Sequence, residues 1–357
     1  MANNGNSSVT TTASKRRLTR WLFFVGLVLL ATGAMTWRYL GSTLRAPGPL
    51  AESIAFDVPA GASQRQVLQL LQKSAVIQDA RAAELALRSA GSAPVFKSGR
   101  YRIPARASLA AVEELLSSGQ VELLSLTIPE GWTFAQARAV IERHPDVDAT
   151  LRGKSAAAIM AALDLKGAAE GRFFPDTYRF SAGTRDLQIY RQANLKMQQV
   201  LDAAWAARAA GLPIANKEDA LVLASIIEKE TGTADERPLI AAVFVNRLRL
   251  GMRLQSDPTV IYGLGSSYDG NIRLEDLRTD TVYNTYTRAG LPPTPIALPG
   301  RAAIESALRP AVSDALFFVA TGRGDGRHVF NKEYAAHQRA VNEMVRTQRA
   351  VSGSRTP

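Results

Sequence analysis

One uncharged apolar run, from Trp21 to Trp37, splits this chain into a short head and a long remainder. Lys15, Arg16, Arg17 and Arg20 precede the run, and Arg38 closes it. A spanning helix needs roughly 17–25 residues, and a tryptophan at each end suits the two interfaces. The basic flank predicts a cytoplasmic N-terminus, with the remainder beyond the inner membrane. Ala31, Gly33 and Ala34 are small enough for a cleavage site. Trp37, Arg38 and Tyr39 follow at once, which argues for an uncleaved single-pass anchor.

Composition narrows the partners. Hydrophobic residues make up 46% and charged residues 21% of 357, so most of the chain can bury a core. With no cysteine, disulfides, thiolate metal sites and cysteine nucleophiles are excluded. The net charge of +11 favours anionic partners such as membrane phospholipid or an acidic wall polymer. The basic residues are scattered, without the aromatic interleaving that grips single strands, so nucleic acid is not expected.

A short pattern then recurs. Phe56-Asp57-Val58-Pro59, Tyr101-Arg102-Ile103-Pro104 and Leu126-Thr127-Ile128-Pro129 each end an apolar strand in proline, which sits at strand ends because it has no N–H to donate. Ser63, Ser108 and Thr133 follow four residues later as helix N-caps, and Gln66 and Gln136 complete capping boxes. With a further helix over about 79–89, residues 54–122 read as strand, helix, helix, strand, helix. That order resembles the LysM-like modules of wall-binding proteins; a plain spacer fits it equally.

The chemistry concentrates in residues 216–300. Asn216 caps a helix whose body, Ala220 to Ile227, is apolar on every face except Ser225. Glu228 and Glu230 end it. Burial there raises a carboxyl pKa toward what a general acid needs at neutral pH. Periodicity does not choose between the two, and pairing with Lys229, Arg237 or Arg247 is the ordinary alternative. Downstream segments are dense in Tyr, Asn, Gln and Thr held by Pro and Gly, the groups that bind sugar edges and faces. Gln255, Asp257, Tyr262, Asn284 and Tyr286 are the candidate groove residues, with loop-holding hydrogen bonds as the alternative for each. His144, His328 and His337 are too scattered for zinc spacing, so no metal or other cofactor is expected. Gly322 to Arg327 reads as a hairpin turn.

Several motifs occur together and in order: ASIIEKET (224–231), RLRLGMRLQSDPTVIYG (247–263), YNTY (283–286), GLPPTPIALPG (290–300) and HVFNKEYAAH (328–337), with TIPEGWT (127–133) and FFPDTYRF (173–180) upstream. Over about residues 20–345 the chain resembles the MltG (YceG-like) endolytic murein transglycosylase family. The resemblance implies a lyase that cuts the β-1,4 bond from MurNAc to GlcNAc within nascent peptidoglycan strands and leaves a 1,6-anhydro end. It implies Glu228 as the acid/base, with Glu230 as its rival, and peptidoglycan synthases as neighbours. Asp257 is the candidate for a second carboxylate near the bond. A muramidase hydrolase at the same site, or a non-catalytic wall-binding scaffold, are the competing functions.

The expected fold is α+β. Its parts are a cytoplasmic tail (1–20), a membrane helix (21–38), a linker (39–53), a LysM-like subdomain (54–124), a larger mixed α/β catalytic domain (125–345) and a flexible basic tail (346–357).

Overall fold

The computed structural model describes residues 10–353, with side chains described over 21–349. The start of the expected cytoplasmic tail and the end of the expected basic tail lie outside the described residues. The chain divides into two compact units, Met1–Leu123 and Leu124–Pro357.

The first unit opens with α1 (Thr10–Arg45), whose segment Trp21–Arg45 is long and apolar enough to cross a membrane and is 0% buried. The helix continues past Arg38 through residues expected to be linker. Leu40 and Leu44, one turn apart, explain the extension, because both pack on the core of this unit. Pro47, unable to continue a helix, lies just past its end.

Next come β1 (Ile54–Val58), α2 (Gln64–Lys73), α3 (Ala80–Ser89), β2 (Gly99–Ile103) and α4 (Leu109–Ser118). The strands pair antiparallel, Ile54 opposite Ile103 and Val58 opposite Gly99. Ser63 and Gln66 form a reciprocal capping box, and Asp79 and Ser108 cap α3 and α4. Phe56, Val67, Leu71, Leu87, Tyr101 and Leu116 fill the core between the strand pair and the helices.

The second unit contains β3 (Leu123–Thr127), α5 (Phe134–Arg143), β4 (Val147–Asp148), α6 (Ala156–Ala162), β5 (Thr177–Ser181), β6 (Thr184–Arg185), α7 (Asp186–Ala206), α8 (Lys217–Glu230), α9 (Arg237–Arg249), α10 (Asp257–Leu264), α11 (Leu274–Arg278), α12 (Arg301–Leu308), β7 (Phe317–Ala320), β8 (His328–Asn331) and α13 (Tyr334–Gly353). The sheets are all two-stranded: β3 with β5, β4 parallel to β6, and β7 antiparallel to β8 across the expected hairpin. This unit is therefore mixed α and β, as expected, with helices predominating and only short strand pairs. Helix α13 runs to Gly353, past Arg346 where a flexible tail was expected.

Helix α8 is the centre of the unit. Leu221, Leu223, Ala224, Ile226 and Ile227 are each 0–1% exposed, so its apolar surface is covered on all sides. Helices α7, α9 and α12 pack on it. This burial delivers the last turn of α8, with its two glutamates, to one edge of the core.

Candidate active site

Glu228 reaches that edge with a side chain only 6% exposed. Its Oε2 accepts the backbone N–H of Gly300 at 2.9 Å, and Arg237 Nη2 stands 3.9 Å from Oε1. Burial pushes its carboxyl above the usual range, and the charge of Glu130 adds to that. The Gly300 N–H, Arg237 and Lys229 pull the other way. A carboxylate in the last turn of a helix also meets the negative end of the dipole, which favours the protonated form. Arg237 Nε is buried with no hydrogen-bond partner among the described residues. The arginine is thus held beside Glu228 without being used up by it.

The Gly300 N–H is placed by the proline-rich loop 291–299. Ser225, the one polar residue inside α8, accepts the N–H of Ile296 at 3.0 Å and donates to Val222 O at 2.7 Å. Leu298 exchanges backbone bonds with Gly131 and Trp132, at 2.9 and 2.7 Å. The loop is therefore fastened to α8 on one side and to the TIPEGWT segment on the other.

Glu230 points elsewhere. Ser256 Oγ donates to its Oε1 at 2.5 Å, and its carboxyl is pushed up to about 7 by burial and by Asp257. Buried Arg247 lies close enough to oppose that shift, although its shortest bonds go to the carbonyls of Leu316 and Leu254, both at 2.7 Å, with a longer one to Gln255 Oε1 at 3.5 Å. The competing pairings thus separate: Arg237 belongs to Glu228, and Arg247 to the surroundings of Glu230.

Four of the sequence candidates lie on α10 (Asp257 and Tyr262), just before it (Gln255) and in the YNTY loop (Tyr286). Tyr286 donates its hydroxyl to Asp257 Oδ1 at 2.6 Å; the charge of Asp257 acts on Glu230, and that of Glu230 on Tyr286. Gln255 is exposed, and its backbone sits at φ 49°, the left-handed region that costs a non-glycine residue energy. Tyr262 donates to Glu170 Oε2 at 3.1 Å and stacks edge-on against Tyr283 at 4.9 Å. Asn284 differs from these: it is 1% exposed and its amide donates to the carbonyls of Asp276, Leu277 and Thr279. It holds the YNTY loop from within. None of the five makes a hydrogen bond or ion pair with Glu228 among the described residues.

Two acidic groups were missed. Glu170, 8% exposed, accepts from Phe134 N at 2.8 Å and from Tyr262, and burial pushes it up to about 7. Glu130 packs against Gly300. A lone acid followed by a Gly-Arg-Phe-Phe run was the available signal for the first. For the second it was an acid set between the strand-ending Pro129 and the helix cap Thr133.

The histidines hold the fold. His328 Nδ1 pairs with Glu236 Oε2 at 2.8 Å, His337 stacks on Phe317 at 5.2 Å, and His144 packs edge-on against Phe180 at 5.0 Å.

Comparison with known proteins places this arrangement in a family. The model of the YceG-like family matches residues 56–343. The chain is 29% identical over 318 residues to an endolytic murein transglycosylase of Bacillus subtilis (strain 168), covering 82% of this chain and 85% of that protein. It is 27% identical to one of Streptococcus pneumoniae serotype 2 (strain D39 / NCTC 7466), covering 90% of this chain and 64% of that longer protein. A 2.6 Å crystal structure of a YceG-like protein from Listeria monocytogenes superposes with a TM-score of 0.52 at 28% identity, over 81% of this chain and 98% of that one. The family match spans both compact units and takes in Glu130, Glu228 and Gly300 alike; this chain belongs to the YceG-like family.

Proposed function

We propose that this protein is an endolytic murein transglycosylase, with Glu228 as its acid/base. One observation carries the assignment of the acid: Glu228 is a buried carboxyl with a single backbone donor, at the exposed edge of an apolar core. Family membership and the names of the relatives support the substrate and reaction.

In the reaction, protonated Glu228 gives its proton to the glycosidic oxygen between MurNAc and GlcNAc as the C1–O bond breaks. The C6 hydroxyl of MurNAc attacks C1 and closes the 1,6-anhydro ring. Its proton goes to the Glu228 carboxylate, which restores the acid, and no water is consumed. The sugar supplies its own nucleophile, so one carboxyl group serves both steps. Such a proton donor contributes about 10²–10⁴-fold. The Gly300 N–H and Arg237 steady the carboxylate between the steps. Gln255, Asp257, Tyr262 and Tyr286 belong to the glycan groove in this reading. Asn284 keeps that groove in shape.

The segment Trp21–Arg45 is the single inner-membrane anchor in this account, with the basic cluster on the cytoplasmic side and the catalytic unit in the periplasm. The strand–helix–helix–strand–helix part of the first unit has the element order of a LysM-like module, which serves here as a wall-binding part or as a spacer. Work on nascent strands puts the enzyme beside peptidoglycan synthases.

The test is digestion of purified peptidoglycan by the full chain in detergent, with products read by mass spectrometry. Anhydro ends, lighter by one water, are expected. Hydrated reducing ends would assign a muramidase instead. Glycan that is bound but uncut would leave a wall-binding scaffold.

A further inference from the structure

Two carboxylates meet at Gly300. Glu228 accepts its N–H from one side. On the other side Glu130 occupies the space where a side chain would begin: a Cβ built on Gly300 would lie 1.9 Å from Glu130 Oε1 and 2.2 Å from its Cδ. The φ of Gly300 is −76°, open to any residue, so the glycine is there for room and not for backbone freedom. With ordinary backbone dimensions these contacts bound the separation of the nearer carboxylate oxygens at about 7 Å. Paired carboxylates in sugar-cleaving sites stand about 5–9.5 Å apart.

The backbone fixes this placement. Gly131 and Trp132, next to Glu130, bond to Leu298, two residues before Gly300. Gly131 also lies beside Glu228: a Cβ added to it would meet Glu228 Cγ at 3.7 Å. The other charged groups facing Glu228 are Arg237 and Lys229, and the lysine turns its Nζ to Gly131 O at 3.3 Å. Asp257, the acid that the sequence favoured for a second carboxylate, is engaged by Tyr286 beside Glu230.

We propose that Glu130 is a second functional carboxylate of this site, a positioning residue that stands across Gly300 from Glu228 and adds to the burial that favours its proton-donating form. The inference rests on reading Glu228 as the proton donor. A like charge at close range disfavours ionisation of its neighbour, and Arg237 provides the opposing pull that lets the proton leave. Burial of Glu228 and Arg237 keeps water from screening their pair, whereas Glu130 is itself exposed and acts through partly screened charge.

Carboxyl ¹³C NMR of the glutamate-labelled full chain in detergent tests this directly, with the Glu228 signal assigned through Glu228→Gln. The Glu228 titration midpoint should fall by roughly 0.5–1 pH unit in Glu130→Gln. It should fall likewise in Gly300→Ala, where the new Cβ displaces the Glu130 carboxylate while the backbone N–H stays. Glu130→Asp keeps the charge and should stay near the parent. The alkaline limb of anhydro-product formation should move down in pH with the midpoint. An unchanged midpoint in Glu130→Gln overturns the inference, and uniformly lower activity with that unchanged midpoint marks a merely structural role. A lowered midpoint in a chain that cuts no glycan would refute the activity and leave the coupling between the two carboxylates standing.

Discussion

Ser225 Oγ accepts the backbone N–H of Ile296 at 3.0 Å, inside a helix that is otherwise apolar, and so joins the loop leading to Gly300 to the helix bearing Glu228. Replacing Ser225 with alanine leaves that N–H buried without a partner, at a cost of about 1–3 kcal/mol. Denaturant unfolding of Ser225→Ala should show a loss of that size, with kcat reduced more than KM is raised. A variant as stable and as active as the parent would mean that the loop holds its position without this bond.

Stability should depend on pH through Glu170. Burial raises its carboxyl from an ordinary 4.5 to about 7. The folded chain then binds this proton more tightly than the unfolded chain does. The stabilisation is complete below about pH 4.5 and is lost as pH rises through about 7. Glu230 adds a loss of the same sign in the same window. In Glu170→Gln, which keeps an oxygen for Phe134 N and Tyr262, the drop across this window should shrink by roughly 3 kcal/mol. Unfolding at several pH values measures it, and an unaltered drop would contradict the burial argument.

Gln255 separates stability from binding. A glutamine held at φ 49° gives up roughly 1–2 kcal/mol that glycine would not. Gln255→Gly should be at least as stable as the parent, yet bind glycan less tightly if the side chain lines the groove. Raised thermal stability with an unchanged KM would remove Gln255 from the substrate site.

Where the sequence was readable, the information was local. The caps at Ser63, Ser108 and Thr133 need only a neighbour three residues on, and the structure contains each of them. Helix α8 was readable because its residues are apolar on every side, a pattern that only a buried helix satisfies. The rest depended on distant contacts. Nothing near Glu130 announces Gly300, and nothing near Glu170 announces Tyr262; tertiary packing brings each pair together. Asn284 shows the opposite error. Its amide looked available for sugar, and it is taken up by carbonyls at the end of α11. The pairing of β3 with β5 skips a strand, and two-residue strands such as β4 and β6 carry no periodicity to read.

The central claim is that Glu228, and not its neighbour two residues on, moves the proton. Peptidoglycan digests with the parent, Glu228→Gln and Glu230→Gln, quantified for anhydro-ended products by mass spectrometry, test it most directly. A loss of about 10²–10⁴-fold is expected in Glu228→Gln. Glu230→Gln, which keeps an oxygen for Ser256, should stay within about tenfold of the parent, because the Glu230 carboxyl is engaged away from Gly300. Full activity in Glu228→Gln, with loss confined to Glu230→Gln, would contradict the claim.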